Sequence, residues 1–214
     1  MAFRVWLAGS SHVKRLQNYA NTSASKGVDI NLDLSQENID ITWFGLGGAT
    51  VNSLINSDNA LRSFSAAQPH AVIIQIGSND LCEPTLDPAS LANDIIGFSE
   101  YLCDTYGVFT VYIGHVLGRK HGWCTDRYVH DLDTFNQKVE LLNSILRDRL
   151  RGHPKIIFWK HKGLSDACKL KGRLSEDGTH LNDEGFWCHY KSVRGSALHA
   201  KRHGIPAVAK AFLK

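Results

Sequence analysis

Apolar positions along the chain alternate between short continuous runs and longer segments with helical spacing. Five segments of four to six residues are rich in apolar, β-branched and aromatic side chains and predict strands: 3–8, 39–44, 71–76, 108–113 and 156–159. Residues 39–44 alternate between apolar and polar positions, whereas 71–76 is a nearly continuous apolar run, as expected of a strand covered on both faces. Apolar residues recur every three or four positions in other segments and predict amphipathic helices: 13–19, 91–106, 131–150 and 183–200. Pro206 suits the first turn of a further helix over 206–212. Strands that alternate with helices indicate an α/β fold with a parallel sheet, and we expect residues 1–214 to form one domain.

Composition excludes several classes of protein before any motif is considered. Hydrophobic residues make up 43% of the 214 residues and charged residues 21%, so the chain can bury a core and should fold. The longest apolar runs, such as 71–74, are far shorter than the roughly 20 residues of a membrane-spanning helix. Arg4 interrupts an N-terminal apolar run that is too short for a signal peptide. The 5 cysteines contain no CxxC spacing, so we expect a reducing, cytoplasmic compartment rather than a disulfide framework.

The formal net charge of +3 hides a strong asymmetry along the chain. Residues 1–146 carry 9 Lys/Arg against 15 Asp/Glu, whereas residues 147–214 carry 15 against 6, which gives net charges of −6 and +9. A basic C-terminal third raises the hypothesis of an anionic substrate or partner. Solvated helix faces are the alternative explanation for most of these charges.

Two blocks rich in glycine and serine directly follow the first two predicted strands. Residues 9–12 read Gly-Ser-Ser-His at a strand-to-helix turn, where helix amides favour anionic charge beside an exposed hydroxyl. The alternative is that Ser10 or Ser11 only caps the helix. Residues 45–50 read Gly-Leu-Gly-Gly-Ala-Thr, which fits neither a dinucleotide fingerprint nor a P-loop. This second block predicts a glycine turn whose amides can approach a ligand, with an ordinary turn as the alternative.

Two later blocks contain amide, carboxylate and imidazole groups. Residues 77–80 read Gly-Ser-Asn-Asp after the third strand, where Asn79 can present an uncharged donor or form an Asx-turn or helix cap. Residues 177–180 read Asp-Gly-Thr-His before a long helix. At this spacing the carboxylate of Asp177 can reach Nδ1 of His180 and leave Nε2 free as a base. The alternative is a solvated loop histidine beside a capping aspartate.

Together the four blocks supply a nucleophile, oxyanion donors and an Asp–His pair, which is the inventory of acyl transfer. On these residues the sequence resembles the SGNH hydrolases, also called GDSL-type esterases and lipases. Their motif blocks match residues 9–11, 47–50, 77–80 and 177–180 in the same order, and the resemblance covers essentially the whole chain. It implies a flavodoxin-like, three-layer α/β/α fold with a five-stranded parallel sheet of order 2-1-3-4-5.

The resemblance also implies a role for each matching residue. Ser11 would be the nucleophile, with His180 and Asp177 as the other members of the triad. The N–H groups of Ser11 and Gly48 and the side-chain amide of Asn79 would form the oxyanion hole. The implied reaction is hydrolysis of carboxylic esters, short-chain or acetyl esters above all, with no cofactor and no metal. Small esters and acylated glycans or lipids are the expected substrates.

One position departs from the family pattern, because Ser10 stands where these enzymes usually have Asp before the nucleophile. That Asp is not the triad acid, so its replacement need not abolish the chemistry. His12 is interpreted as a substrate-binding or structural residue rather than as the base. Residues in or near the loop after the fourth strand are candidates for substrate binding: His115, Arg119, His121, Trp123 and Tyr128.

Two alternatives remain open at the level of sequence. His199 and His203 have the i, i+4 spacing of metal ligands, but Lys201 and Arg202 between them favour a solvated basic face. The alternative function is a weakly active or inactive binding module of the same fold, of mobile-element origin, which holds nucleic acid or an anionic glycan. Within enzymes, a glycan deacetylase or a thioesterase fits the same motifs.

Overall fold

A five-stranded parallel sheet forms the centre of the computed structural model, which describes residues 1–23, 27–120, 129 and 131–204. Its strands are β1 Phe3–Gly9, β2 Ile39–Gly45, β3 Ala71–Gln75, β4 Thr110–Gly114 and β5 Ile156–Trp159. They lie in the order β2-β1-β3-β4-β5, and every neighbouring pair is parallel. The predicted α/β fold class and strand order are therefore confirmed.

Helices cover both faces of the sheet. They are α1 Ser11–Thr22, α2 Val51–Ile55, α3 Asp58–Ala67, α4 Pro88–Thr105, α5 Leu132–Arg149, α6 Ala167–Lys171 and α7 Asp183–His203. The periodicity predicted α1, α4, α5 and α7 but not α2, α3 or α6. The helix expected at 206–212 lies outside the described residues. Among the described helices, none combines the length and the apolar character that crossing a bilayer requires.

Successive strand residues contribute to two different cores, as the period of two in a β-strand requires. Trp6 and Ile74 pack with α2, α3, α4 and α5 on one face. Leu7 and Ile73 pack with α1 and α7 on the other face. Because both faces of the central strands are covered, β3 is buried along its whole length, which explains its continuous apolar sequence.

Polar side chains fix the starts of six of the seven α-helices in the described part of the chain. Each capping side chain accepts a hydrogen bond from the backbone N–H three residues later: Thr50, Ser57, Asp87, Asp131, Asp166 and Asn182. Such caps stabilise a helix by about 1 kcal/mol each. Helix α1 differs, because Ser10 occupies its N-cap position without a side-chain capping bond.

Candidate active site

The end of β1 is held against β3 by a close approach of two backbones. Ser10 N–H donates to the carbonyl of Gln75 over 3.0 Å. A Cβ atom on Gly9 would lie 2.1 Å from that same carbonyl oxygen, so only glycine fits between the two strands. This contact places the turn that carries Ser11 at the carboxyl edge of the sheet, where parallel α/β folds bind their ligands.

The uncapped start of α1 leaves backbone donors beside Ser11. Ser10 uses its carbonyl to accept from Val13 and Lys14, but its side chain caps nothing. Among the described residues, the N–H of Ser11 has no acceptor. A free N–H at a helix N-terminus is suited to stabilise negative charge on a bound group.

Ser11, His180 and Asp177 form one hydrogen-bonded chain, although 166 residues separate Ser11 from Asp177 in sequence. The Ser11 Oγ to His180 Nε2 distance is 3.0 Å. The distance from His180 Nδ1 to Asp177 Oδ2 is 2.7 Å. His180 is only 4% exposed, so this chain is shielded from water on the imidazole side.

The loop around Asp177 keeps its carboxylate ionised. Partial burial alone raises the pKa of Asp177, but hydrogen bonds from the His180 backbone and ring, Thr179 N–H and the Ser175 hydroxyl outweigh burial and hold that pKa well below its ordinary range. An ionised carboxylate can only accept, so Nδ1 of His180 carries the proton and Nε2 remains an acceptor for the Ser11 hydroxyl.

The glycine turn after β2 is attached to the end of β3 by two polar contacts. Asn79 Nδ2 donates to the carbonyl of Ala49 over 3.0 Å, and the Asp80 carboxylate accepts from Val51 N–H over 2.8 Å. Gly48 directly precedes Ala49 in the chain and has a φ of 68°, a conformation that favours glycine. The Asn79 amide has a second N–H that the Ala49 contact does not use. The motif pattern alone predicts no role for Asp80, although Asp80 belongs to the same block as Asn79.

Two further histidines lie behind His180 in the interior. The ring of His12 is tilted against that of His180 with centroids 5.7 Å apart, and His12 is 4% exposed. Burial, followed by nearby charge on His180 and His189, lowers the pKa of His12 well below its ordinary value. His189 is completely buried, and burial lowers its pKa to about 4. The burial of His12 favours its structural interpretation over direct contact with substrate.

A buried network connects this histidine group to the sheet. His161 contacts Gln75 Oε1 through Nε2 at 2.7 Å and the Ser192 hydroxyl through Nδ1 at 2.9 Å. Its ring centroid is 4.9 Å from that of His189. Burial, followed by charge on His189, lowers the pKa of His161 well below its ordinary value. The histidines are therefore neutral core residues at neutral pH.

We expect the free energy of unfolding to decrease as the pH falls from about 6.5 toward 4, because the unfolded chain then binds protons that these histidines refuse in the folded state. The contribution of these neutral histidines to the free energy of unfolding is fully present above the ordinary histidine pKa and is lost below it. Full protonation of His189 alone would cost about 3 kcal/mol. Urea unfolding at several pH values measures this dependence, and His189→Leu should reduce its slope by about one proton. An unchanged slope in His189→Leu would contradict the role of His189.

Arg119 and His115 have different surroundings from the triad. The Asn136 side chain hydrogen-bonds both backbone groups of Arg119. Its Oδ1 accepts from the Arg119 N–H over 2.9 Å, and its Nδ2 donates to the Arg119 carbonyl over 3.0 Å. The Arg119 guanidinium lies 4.7 Å from the centre of the Phe135 ring and 3.2 Å from Cys82 Sγ, and the residue is 3% exposed. Both Arg119 and His115 line a cleft whose described lining does not include Ser11, Asp177 or His180. The other loop candidates, His121, Trp123 and Tyr128, lie outside the described residues.

The two histidines near the end of α7, His199 and His203, contact each other, and His199 also contacts a tyrosine. His199 Nδ1 lies 2.7 Å from the hydroxyl of Tyr112, and its ring centroid is 4.5 Å from that of His203. In the described part of the chain, no group of three or more His, Cys, Asp or Glu side chains is arranged to hold a metal ion.

Comparison with protein families gives one match that covers most of the chain. The model of the GDSL-like lipase/acylhydrolase family matches residues 8–186. This range includes all four sequence blocks. No curated protein sequence matches the chain.

Several solved structures have a similar fold. A GDSL-like lipase from Bacteroides thetaiotaomicron is 19% identical with a TM-score of 0.67, over 92% of this chain and 89% of that one. A catalytic mutant of an acetylxylan esterase from Geobacillus stearothermophilus is 13% identical with a TM-score of 0.63, over 92% and 94%. A member of the lipolytic G-D-S-L family from Veillonella parvula is 18% identical with a TM-score of 0.61, over 88% and 94%. At these identities the similarity establishes the fold.

Proposed function

Because the chain belongs to the GDSL-like lipase/acylhydrolase family, we propose that it is a serine esterase that hydrolyses carboxylic esters through Ser11, His180 and Asp177. The observation that supports this proposal most is the continuous hydrogen-bonded chain from the Ser11 hydroxyl to the Asp177 carboxylate. Family membership supports hydrolysis of esters in general, and the residue roles and the substrate are part of the proposal.

In the first step, His180 Nε2 removes the proton of the Ser11 hydroxyl while Oγ attacks the ester carbonyl carbon. Asp177 stabilises the imidazolium that forms, since its carboxylate accepts from Nδ1. His180 then returns the proton to the leaving alkoxide, and the C–O bond breaks to release the alcohol. The acyl group remains on Ser11.

In the second step, neutral His180 removes a proton from water, and the hydroxide oxygen attacks the acyl carbon. The tetrahedral intermediate collapses, Ser11 recovers its proton from His180, and the carboxylic acid is released. The ester and one water molecule supply every atom of the two products, the alcohol and the carboxylic acid. His12, which is held neutral by burial, adds no positive charge against the imidazolium.

Charge on the carbonyl oxygen would be stabilised by the N–H groups of Ser11 and Gly48 and by the amide of Asn79. The unused N–H of Ser11 and the second N–H of Asn79 support this assignment. The contact between Asn79 and Ala49 orients the amide before substrate binds, so no reorganisation is needed during the reaction.

Replacing Asn79 with alanine is expected to lower kcat by about 10²- to 10³-fold, since it removes one oxyanion donor. Steady-state hydrolysis of p-nitrophenyl acetate measures the loss. Asn56→Ala is a matched control, because Asn56 ends α2 on the surface and, among the residues that the structure describes, its amide contacts only Asn52. An unchanged kcat in Asn79→Ala would show that Asn79 is not an oxyanion donor.

Short-chain or acetyl esters are the proposed substrates, and acylated glycans or lipids are the proposed natural molecules that carry them. The similar fold of an acetylxylan esterase is compatible with this proposal but does not carry it. Initial rates on p-nitrophenyl esters from acetyl to decanoyl test the chain length. A maximum at decanoyl would contradict the short-chain proposal.

The alternative of an inactive binding module predicts no turnover in the same assay. The complete Ser11–His180–Asp177 chain favours the enzyme. Nothing in the comparisons points to a nucleic-acid partner.

A further inference from the structure

The cleft that Arg119 and His115 line has a volume of about 650 Å³ and lies at the same edge of the sheet as the proposed triad, between α5 and α6. It begins where β4 and β5 end, at His115 and Lys160. This volume is within the range of about 300–1,000 Å³ that is typical of ligand sites. The cleft adjoins the catalytic loops, since Lys120 N–H, next to Arg119 of the lining, donates to the carbonyl of Gly178.

The accessible apolar surface of the cleft comes from Phe158 on β5 and Ala167 on α6, which are half-buried and exposed. Val139, Leu164, Leu170 and Leu174 also line the cleft but are at most 6% exposed. The three leucines belong to a small core cluster with Leu117 and Leu181, so they form a floor that is fixed by packing. A rigid apolar surface of this kind fits a hydrocarbon or aromatic ligand body better than a sugar ring.

The charges in the cleft are unevenly distributed. Lys160 after β5 and Lys171 on α6 are exposed, and in the described part of the chain neither has a carboxylate within 4.0 Å. Arg147 is already paired with Asp148. The acidic lining residues, Asp133 and Glu140, both lie on α5. The two unpaired cations therefore mark the α6 side as the place for an anionic group.

His115 adds a neutral polar group at the strand end. Burial, followed by the charge of Lys160, lowers the pKa of His115 to about 4, so its ring is uncharged at pH 7. Its Nδ1 is buried without a hydrogen-bond partner among the described residues. The cleft thus combines an apolar surface, a neutral imidazole and two unpaired lysines.

We propose that this cleft binds an amphipathic anion, with an apolar body against Phe158 and Ala167, above the floor of Leu164, Leu170 and Leu174, and a carboxylate or phosphate head group toward Lys160 and Lys171. The acidic residues on the α5 wall disfavour a ligand with a second anionic group at its other end. The site is distinct from the proposed triad, and ligand binding there does not depend on ester hydrolysis.

Isothermal titration calorimetry with octanoate, octyl phosphate and octyl glucoside tests the proposal on the full chain. We expect both anions to bind more tightly than the neutral glucoside, and the tighter of the two anions identifies the head group. Affinity for that anion should fall about tenfold in the double variant Lys160→Gln/Lys171→Gln, because two exposed cations are lost. It should also fall with added salt.

A matched control separates the cleft from general basic charge. Lys162→Gln/Lys169→Gln removes the same charge from the same segment, but neither residue lines the cleft. This control should leave the anion affinity unchanged, whereas Ala167→Trp should reduce it by filling the cleft. Failure of both anions to bind, or equal loss in the two double variants, would overturn the proposal. Ester hydrolysis by the same samples is measured separately, so failure of one proposal is distinguishable from failure of the other.

Discussion

Replacing Ser11 with alanine is expected to lower kcat/KM for p-nitrophenyl acetate by about 10⁴- to 10⁶-fold, because the hydroxyl that attacks the ester is lost. The substitution should leave the fold intact, since Ser11 begins α1 and alanine is a strong helix former. Labelling by a serine-directed fluorophosphonate should disappear together with the activity.

The adjacent serine provides the matched control for this experiment. Ser10 is buried at the N-cap position without a side-chain capping bond, so Ser10→Ala removes a hydroxyl one residue away from the proposed nucleophile. Fluorophosphonate labelling should persist in Ser10→Ala. Labelling that persists in Ser11→Ala and vanishes in Ser10→Ala would show that Ser10, and not Ser11, is the nucleophile.

Replacing Asp177 with asparagine should lower kcat by about 10⁴-fold. The amide oxygen can still accept from Thr179 N–H and His180 N–H, so the loop should keep its shape. The amide nitrogen, however, would face Nδ1 of His180 and would favour the tautomer that carries its proton on Nε2. That tautomer cannot remove the proton of Ser11.

Asp166→Asn is the control for the loss of one carboxylate elsewhere in the chain. Asp166 caps α6 by accepting from Lys169 N–H and is outside the hydrogen-bonded chain. Its replacement should leave kcat unchanged, with circular dichroism as the check on folding for both variants. If Asp177→Asn retains more than about a tenth of the kcat of the parent protein, the carboxylate does not have the orienting role that triads require.

The fold could be predicted well where the apolar pattern is long or continuous. The observed bounds of all five strands lie within two residues of the predicted ones. The central strand β3 is buried on both faces and shows a nearly continuous apolar run, whereas the edge strand β2 is mostly half-buried and shows alternation instead. Helix α2 was missed because five residues are too few to show a period. Helix α3 had a readable signal in the spacing of Ala60, Phe64 and Ala67, behind the cap at Ser57.

The candidate site was predictable to the extent that its residues belong to short local blocks. Asp177 and His180 are three residues apart, so their contact depends on one turn. The residues behind them were not predictable in this way. His12, His161 and His189 come from three distant segments and meet only because α1, α7 and the strand ends converge. Likewise, the contact between Asp80 and Val51 joins two loops that the sheet order brings side by side.

The charge asymmetry likewise has one part that can be recognised in the sequence and another that depends on the fold. Sequence alone indicates the strand pattern, the four motif blocks and the excess of basic residues after position 146, because each is a property of neighbouring residues. The fold is needed to show that Lys160 and Lys171 share a cleft with an apolar floor and that the acidic lining residues lie opposite them on α5. The physical reason is that burial and ion pairing depend on which segments pack together across the sheet, and spacing along the chain does not encode those distances.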